Sequence, residues 1–340
     1  MSASPKPDPV ADRAPEPKPN PTSSAAGKPL PALPPCKPGL PLVGAQLSAA
    51  GGLGNVATRA AAAGAEVVQI FNTNPRMWRS YVYPEDEIAA MASDLLDAGI
   101  PLFIHSVYLI NLVSPDPALR ERSAQALSQA LVLGADTRAK GVVTHVGSHH
   151  GAGLEVALQW AAATVRIALD AAAETSRAPL PRILFENSPG SGHLVGGGLH
   201  DLAMLVAELP GTTGICLDTA HMFVAGIPIH LADGLEQLVS ELRALGLLDA
   251  LGLLHLNDSK TPFASGRDQH QNPGEGQIGG EGLARVVRHP AFRHVPFVLE
   301  VPGADGHGPD AINVRRVQAM REASPNLPSQ PGRPSARLGA

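Results

Sequence analysis

Six short apolar runs in this sequence end in a side chain that can bind a cation. They finish at His105, His145, Glu186, Asp218, His255 and Glu300. His221 follows Asp218 by three residues, and Asp268-Gln269-His270 stands a little beyond the His255 run. A single histidine at such a place is ordinarily a hydrogen-bonded polar residue. A single carboxylate ordinarily pairs with Arg or Lys, or caps a helix. The set resists that reading, because burying several carboxylates without cations is costly and the nearby sequence offers few Arg or Lys to match them. Divalent metal solves the problem. Five histidines (His105, His145, His221, His255, His270) and four carboxylates (Glu186, Asp218, Asp268, Glu300) make nine protein ligands. That is too many for one ion, ample for two and, with a bridging carboxylate, enough for three. Imidazole nitrogen mixed with carboxylate oxygen suits Zn²⁺ or Mn²⁺, and the absence of thiolate ligands argues against a structural zinc. Three dications would outweigh four carboxylates, leaving a positive site suited to phosphate. Clusters of two or more metals stabilise the attacking and leaving oxygens of phosphoryl transfer.

Such residues act together only if the chain brings the ends of the runs to one place. Eight β-prone runs are spaced along the sequence, at 42–47, 66–71, 101–105, 141–146, 182–186, 214–218, 251–256 and 296–300. Between them lie Ala/Leu-rich stretches of helical spacing, at 55–63, 85–98, 117–133, 154–175, 199–208, 234–245 and 281–288. Three of these are followed by Gly64, Gly99 and Gly134, the residue type that commonly ends a helix. Strand–helix units repeated eight times predict an α/β fold, a closed (β/α)8 TIM barrel, with an open doubly wound sheet as the alternative. No Gly-x-Gly-x-x-Gly opens the first helix after a strand, which disfavours a dinucleotide fold. In a closed barrel the strand ends share one rim, where active sites of this architecture lie.

The chain has 340 residues, a 44% apolar fraction and only 4% aromatics, so its core must be built from Ala, Val, Leu and Ile. Of 33 prolines, 12 fall in residues 1–40 and 4 after Ala323. Such segments cannot bury enough apolar area to offset chain entropy. Residues 1–38 and 323–340 are therefore expected to be disordered Pro-rich tails around one barrel domain at 39–322. Two cysteines, Cys36 and Cys216, cannot make a disulfide framework. The N-terminus lacks an apolar signal core, and no uncharged apolar window of about 18 residues appears, so a cytoplasmic protein with no membrane partner is expected. The formal net charge of −5 argues weakly against nucleic acid, but it leaves out any bound metal.

The residues around these ligands resemble one family. Gly-Ala-Gln-Leu-Ser-Ala-Ala-Gly-Gly (44–52), His-Ser-Val-Tyr-Leu-Ile-Asn-Leu (105–112), His-Val-Gly-Ser-His (145–149), Glu-Asn-Ser-Pro-Gly (186–190), Leu-Asp-Thr-Ala-His (217–221), His-Leu-Asn-Asp-Ser-Lys (255–260), Asp-Gln-His (268–270) and Gly-Glu-Gly-Gln-Ile-Gly (274–279) are similar to the motifs of endonuclease IV. These are the metal-dependent apurinic/apyrimidinic (AP) endonucleases of DNA repair, AP endonuclease family 2. The resemblance runs over roughly 42–320. It implies three zinc ions, with Mn²⁺ a substitute: one held by His105 and His145, a second by Asp218, His255 and Glu300, with Glu186 bridging these two, and a third by His221, Asp268 and His270. It implies hydrolysis, in base excision repair, of the phosphodiester 5′ to an abasic site in double-stranded DNA. The products would be a 3′-hydroxyl and a 5′-deoxyribose phosphate, with Glu186 orienting the nucleophile as the catalytic residue. It implies DNA contacts by the loop holding Asn74 and Arg76, with Arg76 entering the minor groove and Tyr108 and Leu109 filling the gap left by a flipped nucleotide. It implies a monomer. The sequence departs from the family pattern at Asn72-Thr73-Asn74, at Ser106-Val107, at Gln271 and after Glu300, and no departure removes a ligand position. A rival reading is a sugar isomerase or epimerase of the same barrel superfamily, in which Glu186, Asp218, His255 and Glu300 hold a single Mn²⁺ or Mg²⁺. That reading leaves the other five ligands without a task. A third, a catalytically dead damage-binding protein, would have no need of the intact ligand set.

Overall fold

The structure, a computed structural model of the chain, describes residues 39–79 and 81–323. The expected tails therefore lie outside the described residues, apart from Ala323. Strand and helix alternate: β1 (Val43–Gln46), α1 (Asn55–Ala63), β2 (Val68–Phe71), α2 (Glu85–Asp97), β3 (Leu102–His105), α3 (Pro117–Asp136), β4 (Gly141–His145), α4 (Leu154–Thr175), β5 (Arg182–Glu186) and α5 (Leu199–Glu208). The second half follows with β6 (Thr213–Asp218), α6 (Thr219–Val224), α7 (Ala232–Ala244), β7 (Leu251–His255), the short β8 (Asp258–Ser259) and β9 (His270–Gln271), α8 (Gly279–Arg288), a 3₁₀ turn (Pro290–Phe292), β10 (Phe297–Leu299) and α9 (Ala311–Glu322). Eight strands close into a parallel barrel in the order β1-β10-β7-β6-β5-β4-β3-β2. The closed barrel, not the open sheet, is the fold.

The eight expected strands match the barrel strands to within a residue or two at each end. Helix α3 differs: it runs three residues past its expected end, through Gly134 to Asp136. Gly134 is not a stop signal there. A Cβ at that position would come within 2.8 Å of the Pro181 ring, so glycine lets the helix approach the barrel closely. By contrast Gly64 does end α1, in the left-handed conformation and donating back to Ala60 and Ala61. Helix α4 is long and apolar enough to span a membrane, yet it carries Glu155, Arg166 and Asp170 and packs its alanine-rich side against neighbouring helices and the barrel.

Two apolar layers hold the barrel. The larger lies between the strands and the helices. The smaller plugs the interior with Leu42, Val67, Phe103, Val143, Leu184, Cys216, Leu253 and Val298, one residue from or beside each barrel strand. Side chains alternate along a strand, so the residue two positions further on faces the same interior. Counting two from each plug residue of β2 to β7 and β10 gives Gln69, His105, His145, Glu186, Asp218, His255 and Glu300. The polar rim is the next layer of the barrel filling.

Candidate metal centre

Glu186 occupies the middle of this layer and is almost wholly buried. Its Oε2 lies 3.1 Å from His105 Nε2 and 3.2 Å from His145 Nε2. Its Oε1 lies 3.2 Å from His255 Nδ1 and 3.4 Å from His221 Nδ1. His255 Nδ1 also stands 3.3 Å from Glu300 Oε2 and 3.9 Å from Asp218 Oδ2. On the outer side, Asp268 places one oxygen 3.2 Å from His221 Nε2 and the other 3.2 Å from His270 Nε2. Among the described residues no Arg or Lys is ion-paired with Glu186, Asp218, Asp268 or Glu300.

Helix α6 and the β8–β9 hairpin, neither of them legible beforehand, supply the outer groups. Asp218 ends β6 and caps α6, accepting from the His221 backbone N–H at 2.9 Å, so His221 falls in the first turn and points back over the rim. Its Nδ1 meets the Asn187 carbonyl at 2.8 Å, which turns Nε2 outward to Asp268. The hairpin pairs Asp258 with Gln271 and Ser259 with His270, returning His270 to the centre. Buried Asp258 holds the loop beyond it by accepting the backbone N–H groups of Gly274, Gly276, Ile278 and Gly279 at 2.9–3.3 Å. This explains the glycine-rich motif: a Cβ at Gly276 would lie 2.4 Å from the Ser259 carbonyl.

The electrostatics show a site short of positive charge. Burial alone would raise the Glu186 carboxyl, yet His145, His255 and His105 hold it well below the usual carboxylate range. Burial would lower His221, but Asp218, Asp268 and Glu186 push it up to about 10. His270 is likewise pushed up, against its burial, to about 9 by Asp218 and Asp268. His255, against its burial, is held well above the ordinary imidazole value by its hydrogen bond to the Cys216 sulfur and by the carboxylates of Glu300 and Glu186. These three imidazoles hold protons where cations would serve. Burial drives Cys216 up to about 12, so it stays a neutral thiol under the centre.

The donor set fits divalent metal. Three groups each bring their ligand atoms within 4.8 Å of one another: His105, His145 and Glu186; Glu186, Asp218, His255 and Glu300; and Asp218, His221 and His270. Ligands about 2.0–2.1 Å from a tetrahedral ion stand roughly 3.3 Å apart, the separation seen here between nitrogen and oxygen. His270 Nε2 is buried and, despite the nearby carboxylates, has no well-aligned hydrogen-bond partner, an orphan atom that a cation would satisfy. The third group has Asp218 where the resemblance implied Asp268, although Asp268 touches both of its histidines. All nine expected ligands thus gather on one rim.

The expected DNA contacts sit beside it. Asn74 Oδ1 accepts from the Arg76 backbone N–H at 3.0 Å, and Arg76 is exposed at the loop tip. That loop is tied to the next by the Tyr108 N–H, which donates to the Pro75 carbonyl at 2.9 Å. Tyr108 is 48% exposed and stands edge-on to Phe71, His105 and His145. Burial and the carboxylates of Glu300 and Glu186 push its hydroxyl upward, keeping it a donor. Leu109 is partly buried and packs on the outer core. A cavity of about 560 Å³ opens between Tyr108, Glu186 and the Asp268–His270 edge. Sequence reading missed three amides. Asn187 Oδ1 accepts from the Asp218 N–H at 2.6 Å, Asn257 Nδ2 donates to Asp218 Oδ2 at 2.6 Å, and Gln69 joins His255 to Glu300. Strand alternation from Val67 was the signal for Gln69.

Residues 57–323 match the sequence family described as a xylose isomerase-like TIM barrel. The chain is 34% identical to a "Probable endonuclease 4" of Nitratidesulfovibrio vulgaris (strain DP4), over 83% of this chain and 99% of the relative. It superposes on endonuclease IV from Thermus thermophilus with a TM-score of 0.72 and 33% identity, covering 82% of this chain and 98% of the other. A 3-keto-D-glucoside 4-epimerase from E. coli shares the fold alone, at 15% identity and a TM-score of 0.57 over 82% of this chain and 98% of that one. Fold and rim together define a xylose isomerase-like TIM barrel whose rim carries His, Asp and Glu groups that could hold metal. Within that class, the chain belongs to the endonuclease IV family.

Proposed function

We propose that this protein is a zinc-dependent AP endonuclease that hydrolyses the phosphodiester 5′ to an abasic site in duplex DNA, leaving a 3′-hydroxyl and a 5′-deoxyribose phosphate. The observation that carries the reading is that two further ligand groups stand beside the quartet of Glu186, Asp218, His255 and Glu300. A sugar isomerase or epimerase needs only Glu186, Asp218, His255 and Glu300, whereas His105, His145, His221, Asp268 and His270 complete further groups in the same cleft. Three zinc ions, held as the family resemblance implies, would supply the positive charge that a phosphodiester and its leaving 3′ oxygen require.

The chain's own residues do the rest. Glu186, ionised and facing both inner groups, is placed to orient the attacking water. Tyr108 projects a hydroxyl donor over the cleft, and Arg76 presents a permanent cation to the DNA backbone or groove. An abasic nucleotide has no base pair to break, which lowers the cost of drawing it into a 560 Å³ cavity. The test is a duplex carrying one tetrahydrofuran abasic analogue, incubated with purified protein whose metal content is measured in parallel. One nick 5′ to the analogue, with about three zinc per chain, is the expected result. An intact duplex, one metal per chain and interconversion of ketose and aldose would overturn it.

A further inference from the structure

We infer that Gln69 is a positioning residue for the metal centre, its one amide fixing which ring nitrogen of His255 and which oxygen of Glu300 face the ions. The inference rests on the metal-dependent reading above. Gln69 is fully buried on β2 and follows the interior plug residue Val67 by two, so its side chain points into the barrel. Its Nε2 donates to Glu300 Oε1 at 2.7 Å, and its Oε1 lies 3.1 Å from His255 Nε2. In the closed sheet β2 neighbours only β1 and β3, so both hydrogen bonds cross the interior to strands that β2 does not touch.

The direction of every proton in this chain of contacts follows from one fact. An ionised carboxylate only accepts, so the amide nitrogen must face Glu300. The amide oxygen, which also only accepts, then faces His255, so His255 Nε2 must carry a hydrogen. A neutral imidazole protonated at Nε2 offers its lone pair at Nδ1. Nδ1 is the atom 3.2 Å from Glu186 Oε1 and 3.3 Å from Glu300 Oε2, inside the ligand group. On the other arm, engaging Glu300 Oε1 leaves Oε2 for the cation. A leucine at position 69 would keep the bulk and lose both constraints. Hydrogen-bond partners of metal ligands commonly govern affinity by roughly 10–100-fold.

The full-length chain, stripped of metal, is titrated with Zn²⁺ against a colorimetric chelator, as wild type and as Gln69→Leu. The expected result is a loss of affinity of roughly 10–100-fold in one class of site, with the remaining zinc bound as in wild type. A merely structural role would lower the melting temperature and leave zinc affinity alone, and that outcome overturns the inference. A second measurement needs no variant. Long-range ¹⁵N–¹H spectra of the zinc-loaded wild type should show the His255 ring proton on Nε2 and a metal-shifted Nδ1. A proton on Nδ1 would overturn the inference even if the variant failed to fold. A wild-type chain that binds no zinc sinks this inference and the metal-dependent reading together. One that binds zinc with the expected tautomer but leaves an abasic duplex intact sinks only the nuclease reading.

Discussion

The two ends of this barrel both bury carboxylates, and they neutralise them by opposite means. At the N-terminal end, Glu66 sits just before β2 and is held by Arg321 of the last helix, whose Nη1 lies 2.5 Å from Glu66 Oε2 and 2.7 Å from the Pro41 carbonyl. The Val43 N–H completes that cluster at 2.9 Å. A guanidinium is a permanent cation, so this end is a closed structural joint between the first strands and the last helix. At the C-terminal rim, carboxylates face imidazoles, whose charge is a proton that can leave. The same chemical need, charge compensation in a buried place, makes a fixed lock at one end and an exchangeable site at the other. Metal can replace protons at the rim; at the base, loss of Arg321 alone leaves Glu66 a buried, unpaired charge.

The sharpest way to break this comparison is Glu186→Gln. The substitution keeps size but removes the charge shared by the inner groups, and the nicking rate should fall by about 10³-fold or more. The metal-free variant should still fold, because a neutral amide is cheaper to bury than an anion. Near-wild-type nicking would end the role proposed for this carboxylate. At the base the expected effects are reversed. Arg321→Met strands Glu66 in the interior and should cost about 3–5 kcal/mol of stability. Chemical denaturation measures the loss, and nicking at low temperature should stay within a few-fold of wild type. The double change Glu66→Leu with Arg321→Met should recover most of that stability, since the pair itself contributes little beyond its own desolvation cost. A double variant no better than the single one would show that the pair does more than cancel its own charge.

The pH response should also separate the ends. His221 and His270 sit above the ordinary imidazole value of 6.5 in the folded, metal-free protein, at about 10 and about 9. Their protonation therefore favours the folded state. That contribution is whole below about pH 6.5 and is lost as pH climbs through about 9 and 10. Melting temperatures of metal-free protein should fall by several degrees between about pH 6 and about pH 10. Zinc-loaded protein should not follow, because the ions hold the carboxylates whatever the proton supply, and zinc affinity itself should rise with pH. The base contributes no slope in this window, since Arg321 is raised, against its burial, above an already high value by Glu66. A metal-free protein whose stability is flat across that range would contradict the exchange of protons for metal.

Much of the rim was legible in the sequence because two periodicities coincide. The alternation of strands puts His105, His145, Glu186, Asp218, His255 and Glu300 on one face, and barrel closure puts that face on one ring. What escaped depends on contacts between distant segments. Helix α6 is short and has no apolar repeat of its own; it exists because Asp218 caps it at the end of β6. The β8–β9 hairpin has two-residue strands, and its shape comes from Asp258 gathering four backbone N–H groups from a loop sixteen or more residues ahead. Helix α9 has a weak apolar pattern, and beside its buried Val314 and Val317 it is anchored by the ion pair from Arg321 to Glu66. Gln69 reads as one polar residue in an apolar run. Its meaning appears only when β2 faces β7 and β10 across the interior.

The smallest expected effect lies where neither kind of compensation operates. Arg76 stands on the exposed loop after β2 with no carboxylate partner among the described residues, so its charge is free to meet phosphate. Arg76→Ala should leave folding and zinc content untouched and weaken binding to abasic duplex without changing the rate of the bound complex. Each cation that meets a phosphate releases about one counterion, so the slope of log affinity against log salt should become shallower by about 1. Single-turnover nicking at saturating enzyme, set beside binding at several salt concentrations, separates the two quantities. A fall in the saturated rate with an unchanged salt slope would place Arg76 with the rim's chemistry. The expected pattern places it with the solvent-facing charges, whose pairing is made only when the DNA arrives.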